Sequence, residues 1–239
     1  MYALKKLPIL AVTVFVIAIC ASSLSAQTNF QGGIHFNAGF PQGELKDQID
    51  RNAYGLGGQI FFAPQKSPLA LGIELGWMNY GSKTRNVPWG PTIPDVTLDV
   101  TTQNNIVQGF LVLRAHMPKG PIQLYGDALV GFNYLFTETK VSDEDDLDEI
   151  ASSVNFDDHA FAYGFGGGLM VPIYTRNVAR DGGKALQVSL DGGLRYILGG
   201  EAEYLTEDGT RIISDVVIHT PQISKTDMLR LHLGVSVSF

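Results

Sequence analysis

Eight stretches of this chain alternate apolar side chains with small or polar ones. That period of two constrains the fold more than any other feature, because successive side chains of a strand point to opposite faces. Gln31 to Phe40 sets Ile34, Phe36, Ala38 and Phe40 on one side, Ala53 to Phe62 sets Tyr54, Leu56, Ile60 and Phe62, and Leu69 to Tyr80 sets Leu69, Leu71, Ile73, Leu75 and Trp77. Asn104 to His116 carries apolar residues on both faces, with Val107, Leu111, Leu113 and Ala115 opposing Gln108, Phe110, Val112, Arg114 and His116. Ile122 to Phe136, His159 to Val171, Leu186 to Leu198 and Met228 to Phe239 complete the set, the last pairing Leu229, Leu231, Leu233, Val235, Val237 and Phe239 against Arg230, His232, Gly234, Ser236 and Ser238.

Each stretch meets or exceeds the roughly 9 to 11 residues that a tilted strand needs to cross a bilayer, whereas a soluble sheet more often uses about five or six. The connections alternate in length. Ala63 to Pro68 and Met117 to Pro121 are tight and Tyr174 to Lys184 is moderate, while Pro41 to Asn52, Gly81 to Gln103, Thr137 to Asp158 and Gly199 to Thr226 are long. Short turns at one end and long loops at the other characterise membrane barrels. The expected fold is all-β, an eight-stranded antiparallel up-and-down transmembrane β-barrel.

Such a barrel turns its apolar face to lipid and its polar face inward. Glu74, Arg114, Asp127, Asp191, Arg195 and Arg230 all fall on the polar face. An interior of eight strands is just wide enough to be filled by side chains, so three acids and three bases there are expected to pair as a structural charge network and to plug a polar lumen. Trp77, Tyr80, Tyr134, Phe136, Tyr163 and Tyr196 lie near strand ends, where aromatic girdles meet the membrane surface. A soluble lipocalin-like barrel is the rival fold, but it would expose the charged face, which is too poor in Lys and Glu for a wetted exterior.

The N-terminus bears on the compartment. Lys5 and Lys6 precede an uncharged apolar run from Ile9 to Cys20 and a small, polar stretch from Ala21 to Ala26, the pattern of a cleaved secretory signal. The expected division is a signal peptide over residues 1–26 and a barrel over residues 27–239. Cys20 is the only cysteine and lies inside the signal, so no disulfide is expected in the mature protein; Ile19 before it weakens the lipoprotein alternative. Of 17 basic residues, Lys5 and Lys6 leave with the signal, so the mature chain is two units more negative than the whole chain's −7. A balance so acidic argues against nucleic acid as a partner.

The segment Leu231-His232-Leu233-Gly234-Val235-Ser236-Val237-Ser238-Phe239 resembles the terminal strand of outer-membrane barrels, which alternates apolar residues and ends in Phe as an assembly signal. With the signal peptide and the eight strands, the chain resembles the small OmpA/OmpX-type barrel family. The resemblance implies the cell outer membrane of a Gram-negative bacterium as location, contact with outer-membrane lipid and lipopolysaccharide, and engagement of the barrel-assembly machinery through Phe239. It does not imply peptidoglycan anchoring, since no globular domain follows Phe239.

Several motifs are set against plainer readings. Gly164-Phe165-Gly166-Gly167-Gly168 lacks the strand-to-helix setting of a nucleotide loop, and is better read as small residues in a crowded lumen. Asp143-Glu144-Asp145-Asp146-Leu147-Asp148-Glu149 is dense enough in carboxylate for Ca²⁺ or Mg²⁺ but lacks EF-hand spacing, and reads as a solvated loop. Some small membrane barrels are lipid hydrolases built on serine and histidine. Here His232 is followed two residues on by Gly234, His35 by Asn37 and His116 by Pro118, and Ser236 and Ser238 face the packed lumen. Glu207-Asp208-Gly209 signals a hairpin protruding beyond strands seven and eight, with an edge open to strand addition by a surface protein. The expected function is that of a non-enzymatic barrel, without cofactor or metal, whose outer loops touch the surroundings. A narrow porin-like channel and a lipid-modifying enzyme are the alternatives.

Overall fold

The computed structural model describes residues 28–49, 51–64, 67–90, 93–117, 120–143, 149–176, 186–205, 210–213, 216–219 and 221–239. The signal segment, most of the acidic run 143–149 and the turn signal at 207–209 lie outside the described residues. No described helix is long and apolar enough to cross a membrane.

Eight strands close on themselves: β1 (Thr28–Pro41), β2 (Ala53–Pro64), β3 (Leu69–Gly90), β4 (Ile93–His116), β5 (Gln123–Asp143), β6 (Glu149–Arg176), β7 (Leu186–Gly199) and, after four short strands, β12 (Met228–Ser238). Each pairs antiparallel with its chain neighbours, and β12 returns to β1 with Gln31 opposite Ser238 and Pro41 opposite Met228. The seam is completed by reciprocal backbone hydrogen bonds between Phe30 and Phe239, each 2.9 Å, with the two rings stacked 6.1 Å apart. Closure leaves no unpaired strand edge in the wall, the condition for placing a sheet in hydrocarbon.

The described residues of the long connections 81–103 and 137–158 are strand and not loop. β3 and β4 stay paired up to Gly90 opposite Ile93, and β5 and β6 up to Ser142 opposite Glu149, so one end of the barrel continues as a four-stranded sheet. Val96, Leu98 and Val100, alternating with Thr97, Asp99 and Thr101, suit this; Pro88, Pro91 and Pro94 and the acidic run at 143–149 mask the pattern in the rest. Between β7 and β12 the chain also rises as strand pairs. β8 (Glu201–Tyr204) pairs with β11 (Gln222–Lys225), and β9 (Thr210–Ile213) pairs with β10 (Val216–His219).

Inside and outside follow the strand parity. Ile34, Leu56, Ile60, Leu75, Leu111, Phe132, Phe165, Leu194 and Leu233 stand exposed around the wall, while Glu74, Arg195 and Arg230 are 0% exposed within it. A water-soluble barrel would have the reverse arrangement, since an apolar belt of this extent is not left in water. In β4 the outward face is Val107, Leu111 and Leu113, and Phe110 and Val112 point inward.

Candidate functional site

The interior begins from the inward-facing residues of all eight strands, and its middle is ionic. Arg114 on β4 faces Asp127 on β5, its register partner, and holds it in a two-point clamp, Nε to Oδ1 at 2.8 Å and Nη2 to Oδ2 at 2.9 Å. Arg195 on β7 reaches the same carboxylate at 2.7 Å from Nη2 and donates through Nη1 to Glu74 on the opposite wall. Glu74 also accepts from Arg230 on β12, so one carboxylate bridges two guanidinium groups. Arg230 donates to Gln108 Oε1 at 2.9 Å, Gln108 to Asn133 Oδ1 at 2.9 Å, and Asn133 to Thr226 Oγ1 at 3.0 Å. Fork-to-carboxylate geometry of this kind gives the strongest charge-assisted hydrogen bonds.

Asp191 joins the group from β7. It lies 3.9 Å from Arg114 Nη1 and accepts from Gln59 Nε2 at 2.8 Å and from the Tyr125 hydroxyl at 2.6 Å. The same hydroxyl lies 2.9 Å from His232 Nε2. The Arg114 guanidinium is sandwiched between the Phe61 and Tyr125 rings, 4.1 and 3.7 Å from their centroids, a cation–π arrangement that is strengthened by exclusion of water. Glu74, Arg114, Asp127, Asp191, Arg195 and Arg230 are thus brought into one buried network with balanced formal charge. Tyr125, Gln59, Gln108 and His232 belong to it as well, and only their polar character and inward parity marked them in the sequence.

Space for these long side chains comes from glycine on the facing strand. A Cβ at Gly166 would fall 2.6 Å from Arg195 Cγ, and one at Gly168 would fall 2.4 Å from the Tyr125 hydroxyl. The glycine run of β6 is therefore a steric recess for the charge network, with strand on both sides of it.

The lumen is not polar throughout, which corrects the expectation of a polar filling. Phe61, Ala70, Phe110, Val112, Leu129, Ala162 and Ile197 form one apolar cluster beside the ions. A second closes the end that carries the extended sheet, where Leu45, Ile49, Met78, Tyr80, Ile106, Leu135, Tyr204 and Met228 pack together. Leu45 is supplied by a six-residue helix, α1 (Gly43–Gln48), that follows β1, and Ile49 by the residue that ends it. Gly43 at φ +54° makes the left-handed turn into it. Gln42 N–H donates to Asp227 O at 2.9 Å, and Glu44 accepts from Lys225 N–H at 3.1 Å, so the helix is tied against β11. Tyr80 belongs to this cap, its ring 6.5 Å from that of Tyr204, and not to an outer aromatic girdle, because it shares the inward parity of Glu74, Gly76 and Met78 on β3. Burial raises the Tyr204 hydroxyl pKa, which keeps it a neutral partner for Ser224 at 2.7 Å. Of the other aromatics, Trp77 and Tyr163 are exposed on the wall and Tyr134 stacks on Phe136 with centroids 5.5 Å apart.

Among the described residues the lumen brings no serine to histidine. His232 Nε2 faces Tyr125, and Ser236 Oγ donates to Met170 Sδ at 3.8 Å. Removing the Tyr125 hydroxyl strips a buried carboxylate of a donor, so Tyr125→Phe is expected to destabilise the barrel by about 1.5–3 kcal/mol. Urea unfolding in detergent micelles reads this, with Tyr163→Phe on the exposed wall as a control near zero.

The chain is an eight-stranded transmembrane β-barrel. No family model matches it, and no curated protein matches it. Among solved structures it is similar to the Neisserial surface protein A NspA, at 12% identity over 88% of this chain and 95% of that one with a TM-score of 0.38. It is similar also to a major outer membrane protein from Thermus thermophilus, at 12% identity over 89% and 100% with a TM-score of 0.44, and to the outer membrane protein OprG from Pseudomonas aeruginosa, at 13% over 90% and 97% with a TM-score of 0.43. The fold assignment stands on the closed register and on the inverted distribution of charge.

Proposed function

We propose that this protein is a non-enzymatic outer-membrane barrel whose sheet extension beyond the wall makes contact with lipopolysaccharide or with another envelope or surface protein. The observation that carries the reading is the filled interior. An ion network with no exposed member lies across the middle, and an apolar cap containing Leu45, Met78 and Tyr204 lies over one end. A lumen so occupied leaves the protruding strands as the surface available for work. The signal-like N-terminus and the resemblance of the strand ending in Phe239 to outer-membrane barrels support the location, and Phe239 is proposed as the contact for the assembly machinery.

Two measurements test this. The refolded protein in a planar bilayer is expected to give no steady single-channel openings; steady openings altered by Arg114→Ala or Asp191→Ala would make the porin-like alternative the better reading. The second measurement shortens the extension. Lys83 lies opposite Thr102, so replacing 84–101 by an Asn-Gly turn preserves the register below it. The shortened barrel is expected to keep its heat-modifiable migration on a gel and to lose binding to lipopolysaccharide vesicles or to cell surfaces. Unchanged binding would overturn the assignment of function to the sheet extension.

A further inference from the structure

Beside the ion network lies a group of polar atoms that the network does not use. His35 and Asn37 on β1 and His232 on β12 are buried at 4%, 0% and 0% exposure. Both ring nitrogens of His35, both amide atoms of Asn37 and Nδ1 of His232 have no hydrogen-bond partner among the described residues. Buried polar atoms are paired in nearly all native interiors, so five such atoms in one place call for a ligand or an ion.

Register explains why they meet. Asn37 is directly opposite His232, and His35 lies two positions along the same inward face, opposite Gly234 on one side and Gly57 on the other. The glycines make room for these side chains. A Cβ at Gly57 would fall 2.5 Å from His35 Nε2 and 2.8 Å from the Asn37 amide nitrogen, so these two groups border one point. The imidazole rings of His35 and His232 have centroids 5.4 Å apart with planes at 59°.

The hydrogen bonds of His232 fix its chemistry. The Tyr125 hydroxyl gives its proton to Asp191 and so accepts from His232 Nε2–H, which leaves Nδ1 with a free lone pair. A histidine whose one nitrogen is held through a carboxylate-linked partner while the other stays free is the arrangement that orients metal ligands. Two imidazoles bound at about 2.1 Å to one tetrahedral ion have ring centroids roughly 5.2 Å apart, close to the spacing here. The amide oxygen of Asn37 supplies a third neutral donor. No group of three His, Cys, Asp or Glu suited to a metal occurs among the described residues, so the donor set is two imidazoles and an amide. Imidazole donors select ions of the zinc, copper and nickel class over calcium or magnesium.

We infer that His35, His232 and Asn37, brought together on the inner faces of β1 and β12, form a site for a borderline transition-metal ion such as Zn²⁺ or Cu²⁺. The three carboxylates and three guanidinium groups beside it balance, and Arg230, which adjoins Asn37 across Gly76, is neutralised by its ion pair with Glu74. Because the apolar cap lies over one end of the lumen, loading is expected when metal is present during refolding.

The test refolds the full-length mature barrel with Cu²⁺, removes free ion by desalting, and measures bound copper and its electron paramagnetic resonance spectrum. One equivalent with hyperfine structure from two nitrogens is expected. His35→Gln and His232→Gln, checked for folding by gel migration, are expected to lower affinity by at least about tenfold, while the 83%-exposed side chain of His159 is expected to be dispensable in His159→Gln. Wild-type barrel that retains no copper, or copper whose signal survives both lumen substitutions or disappears with His159→Gln, overturns the site and assigns the free atoms to ordered water.

Discussion

Glu74→Ala is expected to remove about 3–5 kcal/mol of barrel stability, the penalty for leaving buried charge without its partner. Two guanidinium groups, Arg195 and Arg230, lean on this one carboxylate from β7 and β12, and all three side chains are wholly enclosed. Arg195 keeps Asp127 at 2.7 Å and Arg230 keeps Gln108 at 2.9 Å, so the network is weakened and not dissolved. Glu74→Gln preserves the shape but not the charge and is expected to cost nearly as much. The contrast is Glu138→Ala. Its pair with Lys140 spans 3.9 Å on a partly exposed stretch of β5, where an ion pair contributes about 0–1 kcal/mol. Urea titration of the two variants in the same micelles decides the matter. A loss for Glu74→Ala no greater than that for Glu138→Ala would mean that the interior admits enough water to solvate the guanidinium groups, and the plugged lumen would have to be given up.

A charge on the outer wall is expected to cost nearly as much for the opposite reason. Leu111 sits near the middle of the membrane-facing part of β4, half exposed, opposite Ile73 and Val130, which are exposed as well. In lipid, Leu111→Arg places a cation in hydrocarbon and is expected to destabilise by about 2–4 kcal/mol, while arginine near a strand end costs about 0–1. Measured in lipid vesicles, the depth dependence separates a membrane barrel from a soluble one. If Leu111→Arg and an end substitution such as Leu69→Arg, at the first residue of β3, cost the same small amount, the apolar belt does not face lipid.

The wall of the barrel was legible in the chain because strand geometry has a strict period. In β2, β5, β7 and β12, apolar residues at every second position predict outward exposure with no knowledge of neighbours. The extension was not legible. Apolar alternation in 81–103 is confined to Val96, Leu98 and Val100 and is broken by Pro88, Pro91 and Pro94, and the pairing up to Gly90 opposite Ile93 continues a hairpin already begun below it. Tyr80 follows the strand period: it lies near a strand end, where girdle aromatics sit, but its two-residue spacing from Met78 puts the ring on the inner face, in the cap.

The sequence by itself determined which side chains face lipid and which face the lumen, because the two faces of a strand alternate residue by residue. It also placed three acids and three bases on the inner face. Which of them meet was decided by tertiary structure. The bridge from Glu74 to Arg195 and Arg230 crosses the lumen between strands 121 and 156 residues apart in the chain, and only the closure of eight strands at one register sets those distances. The convergence of His35, Asn37 and His232 has the same origin in the β1–β12 seam. The cap on Leu45 also comes from tertiary packing, since a six-residue helix has too few hydrogen bonds to form alone and takes its conformation from the barrel mouth it fills.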